Sequence, residues 1–423
     1  MTAGSGHLDA PGAAAKEILG YSRWWQLAAA AVMMALVSPY QYVWTAIEGP
    51  MAAELEVSLS TVGFVFTVFV VVMALVQFPA GWWRDRYGPR SVTLTAGICA
   101  GAGYYSLAFV TEVWQLYVAY AIGSLGVGMV YTVAVNTAVK WFPDKRGLTT
   151  GVGTMAFAAG SAAFIPFVRV AVARGALADA LAQMGILIGA GILVGTIVLS
   201  DPPDRWHRVS SATDSSQSGE RASLEGMLSR EFTTRRMIRT WQFWVMYFMF
   251  VAVSAAGLMI TARVIMYAEQ AGLAAGVATI AAFILPLASG GGRLIVGGLS
   301  DRFDRERITA VSFLLCGVGA IGVVGFAGLE SGLGYVVSVA IAVFFWSSQF
   351  SLFPSLVGDY YGAKYSSSNY AVVYSGKMWG GVFGGGVVAW LVGIVGWDLT
   401  FLIGAGLALA AGIAGLTLRP PSR

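Results

Sequence analysis

Apolar runs of twenty or more residues recur along this chain, and they limit its possible folds more than any other feature. One of them, VVYSGKMWGGVFGGGVVAWLVG from Val372 to Gly393, reaches the roughly 20 residues a helix needs to cross a bilayer's hydrocarbon core. Twelve crossing segments are expected, at about 24–48, 58–83, 91–110, 113–141, 147–172, 181–200, 240–268, 275–298, 307–327, 332–359, 367–394 and 397–418. Hydrocarbon offers backbone N–H and C=O groups no water, so only helices or a closed barrel can span it. Long continuous runs are unlike the short alternating strands of a barrel. The charged fraction, 11%, agrees, since soluble domains carry roughly 25%. The expected fold class is an all-α membrane protein with twelve transmembrane helices.

The polar remainder organises the chain. The opening MTAGSGHLDAPGAAAKEILG lacks a basic start, a compact apolar core and a cleavage site, and residues 1–23 read as a tail rather than a signal peptide. The one long polar stretch, 201–239, is rich in Ser, Asp and Arg, as a solvated linker is. It separates an N-terminal bundle (24–200) from a C-terminal bundle (240–418), which a short tail (419–423) follows. Cys99 and Cys316 both fall in apolar runs and suggest neither a disulfide nor a metal site. His7 and His207 lie in polar segments, which argues against histidine catalysis or zinc ligation within the membrane. No metal, cofactor or nucleic-acid partner is expected, because basic loops beside the bilayer account for the net charge of +4. A monomer in a lipid bilayer is the expected state.

With the N-terminus inside, all but five of the 26 Lys and Arg fall in cytoplasmic tails and loops; the exceptions are Arg169, Arg174, Arg263, Arg293 and Lys377. The outer loops carry Glu48, Glu54, Glu56, Glu112, Asp179, Glu269, Glu330 and Asp398. The positive-inside rule then places both termini in the cytoplasm.

The chain also repeats itself. GWWRDRYGPR (Gly81–Arg90) follows the second run and GGLSDRFDRER (Gly297–Arg307) the eighth, each containing Gly-x-x-x-Asp-Arg. Two six-helix halves related as parallel repeats are the architecture of major facilitator transporters. At these residues the chain resembles that superfamily, whose loop motif reads roughly Gly-x-x-x-Asp-Arg-x-Gly-Arg-Arg. Gly81, Asp85, Arg86, Gly88 and Arg90 keep the first copy; Gly297, Asp301 and Arg302 keep part of the second, where Asp304 stands in place of the usual glycine. Asp and Arg at helix ends can latch neighbouring helices, and glycine permits a tight turn.

A narrower resemblance covers most of the chain. YQYVWT, NTAVKWFPDKRGLTTG, GLAAGVATI, GGGRLIVGGLSD, LFPS and SSNYAVVYSGK are similar to the bacterial oxalate–formate antiporter family. The resemblance implies a bacterial cytoplasmic membrane, and a substrate site in which Arg293 and Lys377 hold the anion. Gln41, Tyr42, Tyr131 and Trp346 match residues lining that site. Phe350 stands where the family's oxalate transporter has a tyrosine, and Tyr374 where it has a tryptophan, so the resemblance does not carry oxalate over directly.

The residues themselves point the same way. All 22 acidic residues fall in a tail, a loop or within about one turn of a span end. Arg293 lies eight residues before Asp301, roughly 12 Å into its helix, and Lys377 lies roughly 15 Å into its own. A cation at the bilayer centre costs about 2.5–3.5 kcal/mol on insertion scales. Three readings compete: both side chains snorkel to an interface, both bond carbonyls or hydroxyls within the bundle, or their counter-ion is the cargo. The repeat offset maps Arg293 onto Gln77, so one half places a cation where the other places a neutral amide. Tyr131 lies in the same layer, Tyr374 is one turn from Lys377, and Trp346 and Phe350 share a helical face. Arg169 and Arg263 are expected near the outer mouth, as interfacial anchors or as an anion-attracting funnel. Pro166, Pro286 and Pro354 are candidates for helix bends. Gly-rich stretches such as GGVFGGG (Gly380–Gly386) let helices approach closely.

The expected function is exchange of small carboxylate anions by alternating access; the alternative is proton-coupled symport of a monocarboxylate such as lactate or pyruvate. Symport lacks a midplane carboxylate to carry the proton, which leaves Lys377 for that task. An enzyme is not expected, since the spans hold no His cluster, paired carboxylates or nucleophile motif, and no phosphate-binding loop points to ATP.

Overall fold

A computed structural model of the chain describes residues 10–203 and 231–421. His7, His207, Arg205, Arg208, Arg221, Arg230 and Arg423 lie outside the described residues, with most of the 201–239 linker, as does the side chain of Arg169. All regular elements among the described residues are helical.

Helix α1 (Ala10–Leu19) packs through Ala15 against Trp141 and Phe142. The first expected span is broken into α2 (Trp24–Val37), α3 (Pro39–Tyr42) and α4 (Trp44–Glu54), with a bend of 52°. Then come α5 (Leu59–Tyr87), α6 (Pro89–Ser106) and α7 (Val113–Trp141). The fifth span is α8 (Arg146–Ala159) with α9 (Ser161–Ala173), and the sixth is α10 (Leu177–Val198). Beyond the short α11 (Thr234–Met237) lie α12 (Trp241–Gln270), α13 (Ala275–Ser300) and α14 (Arg305–Gly328). The tenth span is α15 (Gly332–Ser347) with α16 (Gln349–Tyr361). The expected eleventh is the most interrupted: α17 (Ser366–Tyr374), α18 (Gly376–Val382) and a π turn (Phe383–Val387) lead into α19 (Val388–Gly415), which turns at Gly396 with φ +80°. Among the described residues ten helices are long and apolar enough to cross a membrane, and the bent first pair makes eleven. Twelve crossings follow only if the broken segment before Gly396 counts as one of them.

The breaks are not where the prolines suggest. Helices α9, α13 and α16 run through Pro166, Pro286 and Pro354. Three interruptions fall at serines whose hydroxyls donate to the carbonyl three residues back: Ser38 to Ala35 (2.7 Å), where Pro39 also opens the next helix, Ser348 to Phe345 (2.6 Å) and Ser375 to Val372 (2.7 Å). Such a side chain competes with the helical ladder for the carbonyl and bends it.

At the end of the bundle that carries α1, the two repeat motifs tie the halves together. Asp85 accepts from the Ser368 N–H (2.9 Å) and hydroxyl (2.7 Å), with Lys140 at 3.5 Å. Asp301 accepts from the N–H groups of Gly147 and Leu148, both 2.7 Å, at the start of α8, and from Arg305 at 2.8 Å. The carboxylate thus meets the unsatisfied donors and positive end of that helix. The motif arginines behave differently from expectation. Arg86 is exposed and lies over Trp82 and Tyr87, and Arg302 is exposed. Arg84 takes the latching role: fully buried, it bonds Ser367 (3.2 Å) across the halves and Asp201 (2.8 Å). A helix rotates about 100° per residue, so Arg84 and Arg86 cannot face the same neighbour. Arg90 bonds the Leu199 carbonyl at 3.1 Å, and Gly88 adopts φ +81°, a left-handed turn that glycine tolerates. The receiving loop is itself held by the end of the linker, where the Asn369 amide donates to the Phe232 carbonyl (2.9 Å) and accepts from Thr234 (2.9 Å).

Burial alone would raise the Asp201 carboxyl, but Arg84 and Lys140 outweigh it and hold it below the usual carboxylate range. Asp201 therefore stabilises the folded protein above its unfolded-state value near pH 4, and that contribution disappears as pH falls through the lower folded value. Asp201→Asn is expected to lower the melting temperature at pH 7 and to flatten its decline between about pH 5 and 3. Thermal unfolding in detergent across that range checks this; an unaltered pH profile would contradict it.

Candidate functional site

Arg293, on α13, and Lys377, on α18, are each only 4% exposed. They meet at one ring. The Arg293 guanidinium lies 4.6 Å from the Phe350 centroid and the Lys377 Nζ 5.4 Å from it. The two cations are thus no more than about 10 Å apart, where a low dielectric makes their repulsion strong. Arg293 Nη1 donates across the halves to the Thr154 carbonyl at 2.9 Å, while its Nε is buried without a partner among the described residues. Lys377 Nζ donates to the Tyr374 hydroxyl at 3.1 Å. Neither cation pairs with a carboxylate among the described residues.

Aromatic rings build the walls. Phe350 stands 5.5 Å from Trp346 and 6.0 Å from Tyr374, and Tyr374 stands 4.9 Å from Tyr131 of the other half. Tyr131 continues through Phe157 (5.7 Å) to Tyr42 (5.8 Å). The structure therefore gathers Arg293, Lys377, Phe350, Trp346, Tyr374 and Tyr131 in one place, with Tyr42 one ring further out. Gln77 is buried and Gln41 half-buried, and each has a side-chain oxygen with no partner among the described residues. No hydrogen bond joins either glutamine to a cation there. Arg263 is half-buried, its guanidinium 3.6 Å from the Met266 sulfur, and Arg174 is exposed.

Several unsatisfied polar atoms surround this cluster. Among the described residues the Trp346 indole N–H is buried without a hydrogen bond, and the buried Tyr131 hydroxyl faces those of Tyr370 and Tyr374 without a hydrogen bond of ordinary geometry. Buried too, with no hydrogen bond of ordinary geometry there, are the hydroxyls of Tyr370 and Ser289 and the Gln349 amide nitrogen. Buried polar groups are normally paired, so these atoms are available to a polar guest. Tyr370, Ser289 and Gln349 are additions to the expected site. Tyr370 had a legible signal, standing four and seven residues before Tyr374 and Lys377 on one helical face. Ser289 stands one turn before Arg293. Gln349, next to Phe350 in the chain, is buried and accepts from the Ser254 hydroxyl at 3.4 Å.

Residues 27–384 match the family profile of the Major Facilitator Superfamily. The chain is 33% identical to the oxalate:formate antiporter of Oxalobacter formigenes over 91% of its own length and 88% of the relative's. Among solved structures it resembles the proton:xylose symporter XylE bound to 6-bromo-6-deoxy-D-glucose, with TM-score 0.73 at 14% identity over 92% and 94% of the two chains. It also resembles FucP, the E. coli fucose:proton symporter, in the outward conformation, with TM-score 0.69 at 15% identity over 92% and 97%.

Proposed function

Because this chain belongs to the major facilitator superfamily and, within it, to the oxalate–formate antiporter family, we propose that it exchanges small carboxylate anions across a bacterial cytoplasmic membrane by alternating access, with Arg293 and Lys377 holding the cargo. The observation that carries this reading is the buried pair of cations on one ring, neither matched by a carboxylate among the described residues.

Arg293 retains Nε for a carboxylate and offers the planar geometry suited to it, while Lys377 adds a compact charge. The aromatic walls exclude water, which strengthens both contacts. Dehydrating two unmatched cations costs several kcal/mol. A bound anion offsets that cost, so the loaded carrier reorients faster than the unloaded one, which is the kinetic basis of exchange. With both termini in the cytoplasm, the latches of Asp85 and Asp301 would hold the two halves together on the inner side. The N-terminal half contributes the neutral side, through Tyr131, Gln77, Gln41 and Tyr42.

The test is uptake of labelled oxalate or formate into proteoliposomes with and without the same anion inside. Internal anion is expected to accelerate uptake at least tenfold. Uptake into anion-free vesicles that follows an imposed proton gradient and ignores internal anion would identify symport instead.

A further inference from the structure

Phe350 contributes no polar atom, yet among the described residues it is the one ring within cation–π distance of both buried charges. A ring face is a weak resident counter-charge for a desolvated cation, and it stays when the cargo leaves. Resting on the reading of Arg293 and Lys377 as the cargo pair, we propose that Phe350 sets the ratio of exchange to net transport, by lowering the cost of carrying the unloaded cations through the closed state. The ring is fixed for this task. Trp346 and Phe250 meet it edge-on at 5.5 and 6.0 Å, and it is 1% exposed. The other partners of the cations do not serve in the same way. The Thr154 carbonyl belongs to the opposite half and stays with Arg293 only while α8 and α13 are closed together, and the Tyr374 hydroxyl reaches Lys377 alone. Phe350 and both cations belong to the same half, so their contacts travel with it as the halves rock.

The experiment compares Phe350→Leu, which keeps an apolar side chain but removes the π face, with Phe350→Tyr, which keeps that face. Net efflux of labelled oxalate or formate into anion-free medium and exchange against the same external anion are measured on each. In Phe350→Leu net efflux is expected to fall about tenfold more than exchange, while Phe350→Tyr retains the wild-type ratio. Equal losses in both modes, or an unchanged ratio, would overturn the proposal. A second measurement does not depend on the cargo. Hydrogen–deuterium exchange of Tyr361–Tyr374 in carboxylate-free buffer reads how often the inner side opens. Under conditions where exchange follows each opening event, Phe350→Leu should slow it several-fold by raising the barrier the unloaded carrier must cross, and unchanged exchange there would count against the proposal. Were the wild type to move no carboxylate, the assignment of cargo would fall, and this measurement would still decide the role of the ring.

Discussion

Lys377→Gln is expected to lower carboxylate exchange at least a hundredfold while leaving the protein folded and as stable as the wild type, or more so. Lys377 sits 4% exposed with one neutral hydroxyl and two rings as neighbours. A buried charge without a counter-ion destabilises a protein, and a neutral side chain of similar length removes that cost. The cargo, in contrast, loses a charge-assisted contact in a dry site, and removal of one partner of such a pair costs 2–5 kcal/mol or more. Arg293→Gln should abolish exchange as thoroughly, but with lower stability, because it also cuts the bond to the Thr154 carbonyl. Flux in proteoliposomes and melting temperature in detergent are read on the same preparations. A structural role for Lys377 predicts the reverse pattern, lost stability with surviving exchange, and wild-type flux in either variant would end the assignment of cargo-binding cations.

The second large effect is expected where the halves touch most closely. A Cβ on Gly151 would stand 2.4 Å from the Arg293 carbonyl oxygen, and one on Gly297 would stand 2.4 Å from the Gly147 carbonyl oxygen. Both obstacles are main chain, which cannot swing aside as a side-chain tip can. Gly151→Ala and Gly297→Ala should therefore wedge α8 from α13 and hold the inner side open. The bonds from Gly147 and Leu148 to Asp301 would lengthen with it. Exchange is expected to fall at least tenfold, with faster hydrogen–deuterium exchange in residues 146–151. Gly153, in the same helix, has open space around its Cβ position. Gly153→Ala should be neutral, or more stable by a few tenths of a kcal/mol to about 1 kcal/mol through reduced unfolded-state entropy. If Gly151→Ala and Gly153→Ala behave alike, close approach at α8 does not control closure.

Much of this protein was legible from the order of its residues. Hydrocarbon tolerates few backbone arrangements, so apolar runs alone located the helices to within a few residues at most of their ends. The cost of a midplane charge singled out Arg293 and Lys377 before any contact was visible. The copies of Gly-x-x-x-Asp-Arg indicated a duplicated bundle and identified Asp85 and Asp301. Tertiary structure decided which neighbour each side chain meets. The latch uses Arg84 rather than Arg86, and Arg305 rather than Arg302 holds Asp301 from its own half, because the rotation of each helix against its partner is set by packing. Pro166, Pro286 and Pro354 leave their helices continuous while interruptions fall at Ser38, next to Pro39, and at Ser348 and Ser375, because a side-chain bond to a carbonyl depends on a rotamer that no spacing reveals. Phe350 came to lie against both cations only through the meeting of α13, α16 and α18. Helix formation obeys a one-dimensional code of hydrophobicity and local hydrogen bonds, whereas a site between helices depends on tilt, rotation and the shape of the side chains around it.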